Sequence, residues 1–331
     1  MRDLTLAIVD ATDSAVLTHP NRDMVWIEGR EFRMGSDAHY PEEAPVRRVR
    51  VDGFFIDPHP VSNRQFAAFV AATGYRTVAE RPPNPADYPG ALPHMLTPGS
   101  LVFRKTRSPV DLRDFSNWWR WTPGAYWRHP EGKGSSIAKR LDHPVVQVAL
   151  EDAEAYASWA GKALPTEAEW EFAARGGLNG AEFVWGDEFA PEGRQMANTW
   201  QGEFPWQNLC AGGFERTSPV GVFPANRYGL FDMAGNVGEW TTDWFSARHM
   251  PNAESPCCVS SNPRGAPVEA SFDPAQPQFS IPRKVVKGGS FLCAPNYCRR
   301  YRPAARHAQM IDSGMSHIGF RCVVRQATPS R

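Results

Sequence analysis

The 331-residue chain has no excess of charge of either sign: lysine plus arginine and aspartate plus glutamate each number 36. That balance gives no bulk attraction to nucleic acid or to an anionic membrane, so partners of either kind are not expected. Long apolar runs are also missing. No stretch approaches the ~18 apolar residues that span a bilayer, and Asp3, Asp10 and Asp13 interrupt the first residues, unlike a secretory leader. Six cysteines in so long a chain exclude a disulfide-dense scaffold. Internal repeats and low-complexity tracts are absent. The expectation is a soluble, cytoplasmic, monomeric protein.

What the chain does hold is 12 Trp, 30 Pro and 27 Gly. Such a composition predicts a loop-rich protein in which aromatic side chains supply much of the buried area. Without a break in composition, residues 21–325 read as one domain behind a weakly specified arm at 1–20. A Pro- and Ser-rich excursion over 246–283 interrupts it.

Helix punctuation is legible in three places. Ser62 and Gln65 form a capping box for a helix that Gly74 ends, with Val61 and Phe66 placed as a hydrophobic staple. "LEDAEAYASWAGK" (150–162) predicts a second helix ending near Gly161. Thr166 with Glu169 starts a third that stops at Gly176 and Gly177. Period-two alternation at Val49 and Val51 predicts a strand, as do the halves Met24–Ile27 and Phe32–Met34. Residues 80–135 read as irregular structure held by aromatic packing. After 197, short strands and loops are expected.

The stretch "GGSFLCAPNYCRRYRPAAR" (288–306) holds Cys293 and Cys298. Five residues apart, the two thiols would not share a helical face, and Gly288, Gly289 and Pro295 argue against a helix there. On a bent loop they can meet. A disulfide, a soft-metal site and a nucleophile with a resolving partner all remain open. Zinc fits least, because Cys257 and Cys258 are adjacent, Cys322 stands alone, and no second ligand pair has suitable spacing. Two thiolates suit Cu(I). Arg299, Arg300, Arg302 and Arg306 would favour thiolate where they point inward.

With its surroundings the stretch resembles a known family. "VKGGSFLCAPNYCRRYRPAAR" followed by "HIGFRCV" (317–323) is similar to the C-terminal signature of the formylglycine-generating enzymes, or sulfatase-modifying factors. Further matches are "GREFRMGS" (29–36), "PVSNRQFAAFVAATGY" (60–75), "AYASWAGKALPTEAEWEFAARGG" (155–177), "ANTWQGEFP" (197–205) and "NRYGLFDMAGNVGEWTTDWF" (226–245). The resemblance implies an α+β fold of the formylglycine-generating-enzyme type, related to C-type lectin-like domains and low in regular secondary structure.

It also implies an oxidoreductase that converts a cysteine in a Cys-x-Pro-x-Arg segment of an unfolded or nascent sulfatase to Cα-formylglycine. Molecular oxygen would be the oxidant. Cys293 and Cys298 would hold Cu(I), joined by the substrate thiolate, and Ser290 and Tyr297 would line the site. Trp118, Trp119 and Trp127 could form the aromatic pocket for the target; its acidic partner cannot be picked out of the sequence.

The family binds Ca²⁺, and one such site maps onto Asp232, Gly235, Val237 and Glu239. Another maps onto Asn198, Thr199, Gly212 and Phe214, where Gly212 replaces the family's aspartate and removes the only formal charge. Gly238 stands where the family has tryptophan, and Gln147 and Leu150 stand where it has histidine and tryptophan. A non-catalytic binding module that retains the fold is the alternative. The iron-dependent sulfoxide synthases of the superfamily use a His-x3-His-x-Glu pattern that these nine histidines do not make. Cys322 is expected as a free thiol.

Overall fold

The computed structural model describes residues 23–249 and 259–326. The N-terminal arm, Cys257 and Cys258 lie outside them. In chain order the regular elements are β1 (Val25–Ile27), β2 (Arg30–Met34), β3 (Arg47–Val51), β4 (Phe54–Ile56) and helix α1 (Asn63–Thr73). Then come β5 (Gly99–Phe103), β6 (Trp119–Pro123), α2 (Leu150–Trp159) and α3 (Glu167–Arg175). The C-terminal part holds β7 (Gly238–Trp244), β8 (Ser260–Ser261), β9 (Arg283–Lys287), β10 (His307–Met310), β11 (Ile318–Gly319) and β12 (Val323–Arg325). Loops and single turns make up most of the chain, as the composition predicts. No described helix is long and apolar enough to cross a membrane.

The strands assemble into small sheets rather than one large one. Their orders are β1-β4-β12, β2-β3-β8, β10-β9-β7-β11 and β5-β6. β12 pairs with β4 antiparallel, joining the two ends of the described chain. β8 lies within the sequence expected as a loop excursion and pairs with β3.

Helices form where their punctuation says. The Ser62 hydroxyl accepts from Gln65 N, the Gln65 amide oxygen accepts from Ser62 N, and Gly74 closes α1 at a φ of 67°. The same reciprocal cap joins Thr166 and Glu169. α2 starts on a different device: the Asp152 carboxylate reaches back to Ala149 N at 2.8 Å. It also accepts from Val78 N and the Tyr75 hydroxyl, tying the helix to the preceding loop.

One expectation needs correction. Residues 80–135 are not wholly irregular, because β5 and β6 pair in antiparallel register, Leu101 opposite Trp121 and Phe103 opposite Trp119. Dense aromatic composition masked an ordinary period-two pattern there.

Three buried clusters form the core. The smallest, around Phe103, Trp118, Trp200, Phe204, Phe291, Leu292 and Ala294, lies directly beneath the cysteine segment. The arginines of that segment are structural anchors: Arg302 pairs bidentately with Glu43 and Arg306 with Glu167, both guanidinium groups being about 1% exposed. Pairs of this depth hold only when each charge is matched, since a lone buried charge is expensive.

Candidate active site

The cysteine turn is shaped by its glycines. Gly289 adopts a φ of 64°, and a Cβ there would stand 2.7 Å from the Arg300 carbonyl carbon. Only glycine lets the chain close on itself at that point. The turn then tightens: Cys293 N donates to Ser290 O, and both Tyr297 N and Cys298 N donate to Ala294 O. The five-residue spacing thereby brings the two sulfurs to 3.0 Å. A disulfide would need about 2.05 Å, and both cysteines are free.

The two thiols differ. Cys293 is 5% exposed, and its hydrogen bond with Cys298, together with burial, pushes its pKa up. Cys298 receives that hydrogen bond and faces the Arg300 charge, so its pKa falls below the ordinary thiol value. Of the two, Cys298 is the sulfur that gives up its proton more readily. Arg300 is held by Glu42 at 2.8 Å and lies against the Tyr40 ring.

Both sulfurs open into a cavity of about 110 Å³. Ser290 and Tyr297 line it, as expected. The Ser290 hydroxyl accepts from Leu292 N and keeps its proton free to donate. Tyr297 stacks on Phe204 at 4.3 Å and meets Trp118 edge-on at 5.4 Å. Its pKa is pushed up to about 12, chiefly by burial and also by the nearby thiols, which keeps the phenol protonated.

Trp118 and Trp119 are in the lining. Trp127 is not: it packs against Phe66 in a separate core cluster. Sequence reasoning missed His307, Met315 and His317, which complete the wall. His317 lies over Trp119 at 4.9 Å, and burial lowers its pKa to about 3, leaving the ring neutral.

A second concavity of about 370 Å³ is lined by Asp87, Tyr88, Trp121, Glu151, Glu154 and Asp312 among others. The two cavities have no lining residue in common, but neighbouring residues of the same two segments line them. Trp119 and Trp121 are alternate residues of β6, and the segment 311–317 lines the cleft with its first residues and the thiol cavity with Met315 and His317. Glu151 pairs with Arg81, and Asp312 accepts from the Tyr88 hydroxyl. Glu154, whose pKa desolvation raises against the opposing charge of Lys284, has no direct hydrogen-bond or ion-pair partner among the described residues.

A family model described as "Sulfatase-modifying factor enzyme 1-like domain" matches residues 11–326. The chain belongs to this family. It is 56% identical to the formylglycine-generating enzyme of Mycobacterium tuberculosis (strain ATCC 25618 / H37Rv), over 91% of this chain and 97% of that protein. Identity to the formylglycine-generating enzyme of Thermomonospora curvata is 48%, covering 91% and 93%. The solved structure of PvdO from Pseudomonas aeruginosa superposes with a TM-score of 0.60 over 93% of this chain and 97% of that one, at 21% identity. That likeness concerns the fold alone: α+β, with little regular secondary structure.

The family's calcium positions can be tested against this chain's donors. Asp232 is buried, with a φ of 55°, and its carboxylate accepts only from Gly221 N and the Asn236 amide. Burial raises its pKa, the mark of an anion without a paired cation. Glu239, by contrast, is already neutralised by Arg321 on both oxygens and bonded by Trp170 Nε1. The Asp232–Glu239 set therefore offers one uncompensated carboxylate, with Gly235 and Val237 between.

The other set sits alongside: Asn198 bridges to Gly235, and Asn236 N donates to Asn198 O. Its remaining members bring no charge. Gly212 N donates to the Gln201 amide, and Phe214 contacts the Phe223 ring. Thr199 O accepts from Gln201 Nε2. Asn198, Thr199, Gly212 and Phe214 do not fit a calcium site.

Proposed function

We propose that this protein oxidises a cysteine of a target polypeptide, in a Cys-x-Pro-x-Arg segment of a sulfatase, to Cα-formylglycine. The observation that carries the reading is the unbridged pair of sulfurs 3.0 Å apart at the floor of a cavity, in a member of this family. Cu(I) fits that donor set, since two thiolates are soft ligands that satisfy a low-coordinate soft cation. Cys293 and Cys298 would hold it, and it would supply oxygen activation when bound.

The chain's own groups have separable roles. Arg300 stabilises the Cys298 thiolate, so that metal binding displaces one thiol proton rather than two. Buried Trp118 and Phe204, with partly buried Trp119, give the site an apolar wall, and the solvent-exposed Tyr297 ring stacks over it. The Ser290 and Tyr297 hydroxyls, both able to donate, orient the substrate cysteine and oxygen species. Molecular oxygen would take two electrons and two protons from the substrate CH–SH unit, ending as hydrogen peroxide unless an external thiol reductant carries it to water, and water would then add at the carbon as sulfur leaves as hydrogen sulfide.

The acidic cleft supplies the partner that the target's arginine requires. Glu154, exposed at the cleft with Lys284 the only positive charge acting on it, and Asp312 in the same lining are suited to a guanidinium, with Trp121 as an apolar wall. Calcium is proposed at Asp232, Gly235, Val237 and Glu239 only. All cysteines among the described residues are free, which supports a reducing, cytoplasmic setting.

The test is mass spectrometry of a Cys-x-Pro-x-Arg peptide incubated with copper-loaded protein and oxygen. A mass loss at the cysteine is expected, together with stoichiometric Cu(I) binding that disappears in Cys293→Ser/Cys298→Ser. Copper binding that survives the double substitution refutes the reading. An inert peptide with copper fully loaded favours a binding module.

A further inference from the structure

The partition between the thiol cavity and the acidic cleft is held by an unusual contact. Behind it stands Gln147, completely buried and at a φ of 62°, in the left-handed region that side chains larger than glycine seldom adopt. Gln147 N donates to Met315 O at 3.0 Å, and its side-chain amide donates to Pro130 O at 2.7 Å. Its amide oxygen has no hydrogen-bond partner. Pressed against it is Gly314, where a Cβ would stand 2.6 Å from the Gln147 carbonyl carbon and 2.7 Å from its oxygen. Backbone strain, an unsatisfied buried oxygen and an approach open only to glycine coincide at one place. Such coincidences persist where the surrounding fold over-determines a position.

The contact falls where the chain passes from one lining to the other, between Gly314 and Met315. Ile311, Asp312, Ser313 and Gly314 face the cleft, whereas Met315 and His317 face the thiols. On the other wall, Trp119 faces the thiols and Trp121 the cleft, roughly 7 Å apart along β6. An extended peptide advances at most about 3.3–3.6 Å per residue. A basic residue four positions after the cysteine therefore lies up to about 13–14 Å along the chain. That reach is about twice the Trp119–Trp121 separation along β6.

We infer that the Gln147–Gly314 contact is a spacing gauge: it fixes how many residues of the target separate the oxidised cysteine from its basic recognition residue. The inference rests on the proposed function for the identity of the two cavities' occupants. It adds two positioning residues, neither of which touches the thiols.

The experiment uses the full chain and peptides in which serine replaces the reactive cysteine and arginine follows three, four or five positions later. Calorimetry should give the wild-type protein a preference of about tenfold for the four-position peptide. In Gly314→Ala the added methyl displaces the partition, and that preference should shrink to about threefold or less, or move to five positions. Cu(I) titration of the variant should match the wild type, because the thiol turn is untouched.

Wild-type affinities within about threefold across the series, or no binding to any peptide, overturn the gauge. So does a folded Gly314→Ala protein that keeps the full preference. Should that variant not fold, the wild-type series decides alone. Conversion of the cysteine peptide is measured separately. Sharp spacing preference without conversion would remove the oxidase reading and leave the gauge, and conversion with flat binding would do the reverse.

Discussion

The two cavities are built on opposite terms. The thiol cavity rests on a turn whose arginines are buried and fully paired, Arg302 with Glu43 and Arg306 with Glu167. The acidic cleft is bordered by the first residues of α2, by Gly99 and Trp121 of β5 and β6, and by loops and single turns, and its one ion pair among the described residues, Glu151 with Arg81, is largely exposed. Screening makes an exposed pair worth little, so the cleft owes its form to packing and to the partition rather than to charge pairing. On the proposed function, the chemistry would be anchored and the recognition surface lightly held. A reaction that needs atoms placed within a fraction of an ångström can be combined with target selection that tolerates change.

That contrast can be broken from the anchored side first. Arg302→Ala leaves Glu43 buried and unpaired, and should cost roughly 3–5 kcal/mol of stability, read by chemical denaturation. An equivalent cut at the cleft, Arg81→Ala, should change stability by about 1 kcal/mol or less. Comparable losses would erase the distinction.

Acid probes the same anchors. Burial alone would raise the pKa of Glu167, but Arg306 and Lys287 outweigh it and hold the carboxyl at about 2. Its folded pKa lies below the ordinary carboxylate value near 4.5, so the unfolded chain binds the proton first as pH falls. The stabilisation is present above that value and lost between about 4.5 and 2, amounting to roughly 3 kcal/mol. Thermal melting across this window should show the loss, and Glu167→Gln, though less stable throughout, should show a shallower slope.

A smaller effect belongs to the cleft. Glu154→Gln should raise KM for an arginine-containing peptide by about tenfold while kcat stays near wild type, since the group acts in binding alone. A fall in kcat with KM unchanged would place Glu154 in the chemistry instead. Smallest of all is the asymmetry within the thiol pair. A thiol-alkylating probe should label Cys298 ahead of Cys293, with a midpoint below the ordinary thiol value of about 8.5. Arg300→Gln should move that midpoint upward.

Legibility in the sequence followed the range of the interactions. The caps at Ser62 and Thr166 close within three residues, and the thiol turn within five, so residue spacing reported them directly. The family signatures placed Cys293, Cys298, Ser290 and Tyr297, and the structure gathers all four around one cavity. The cleft was invisible because its carboxylates come from segments far apart. Tyr88 and Asp312, which meet in it, are separated by 224 positions.

Direction was equally hidden. Nothing in "NWWRWTPGAYW" tells that Trp118 and Trp119 line the thiol cavity while Trp127 packs on Phe66, because Trp118 and Trp127 lie outside β6 and tertiary packing alone places them. The arginine run near Cys298 posed the same problem, and only Arg300 turned out to face the sulfur electrostatically. Gly314 carried no signal at all, since its need for glycine arises from Gln147, 167 residues earlier.

The turn at Ala294, where two backbone amides converge on one carbonyl, has a thermodynamic consequence. Two thiols on a flexible five-residue loop would give up chain freedom each time they closed on a soft cation. Here the loop is already closed to 3.0 Å by folding itself. The ordering entropy is charged to the folding equilibrium, so a soft cation at the proposed site would meet two sulfurs that folding has already gathered.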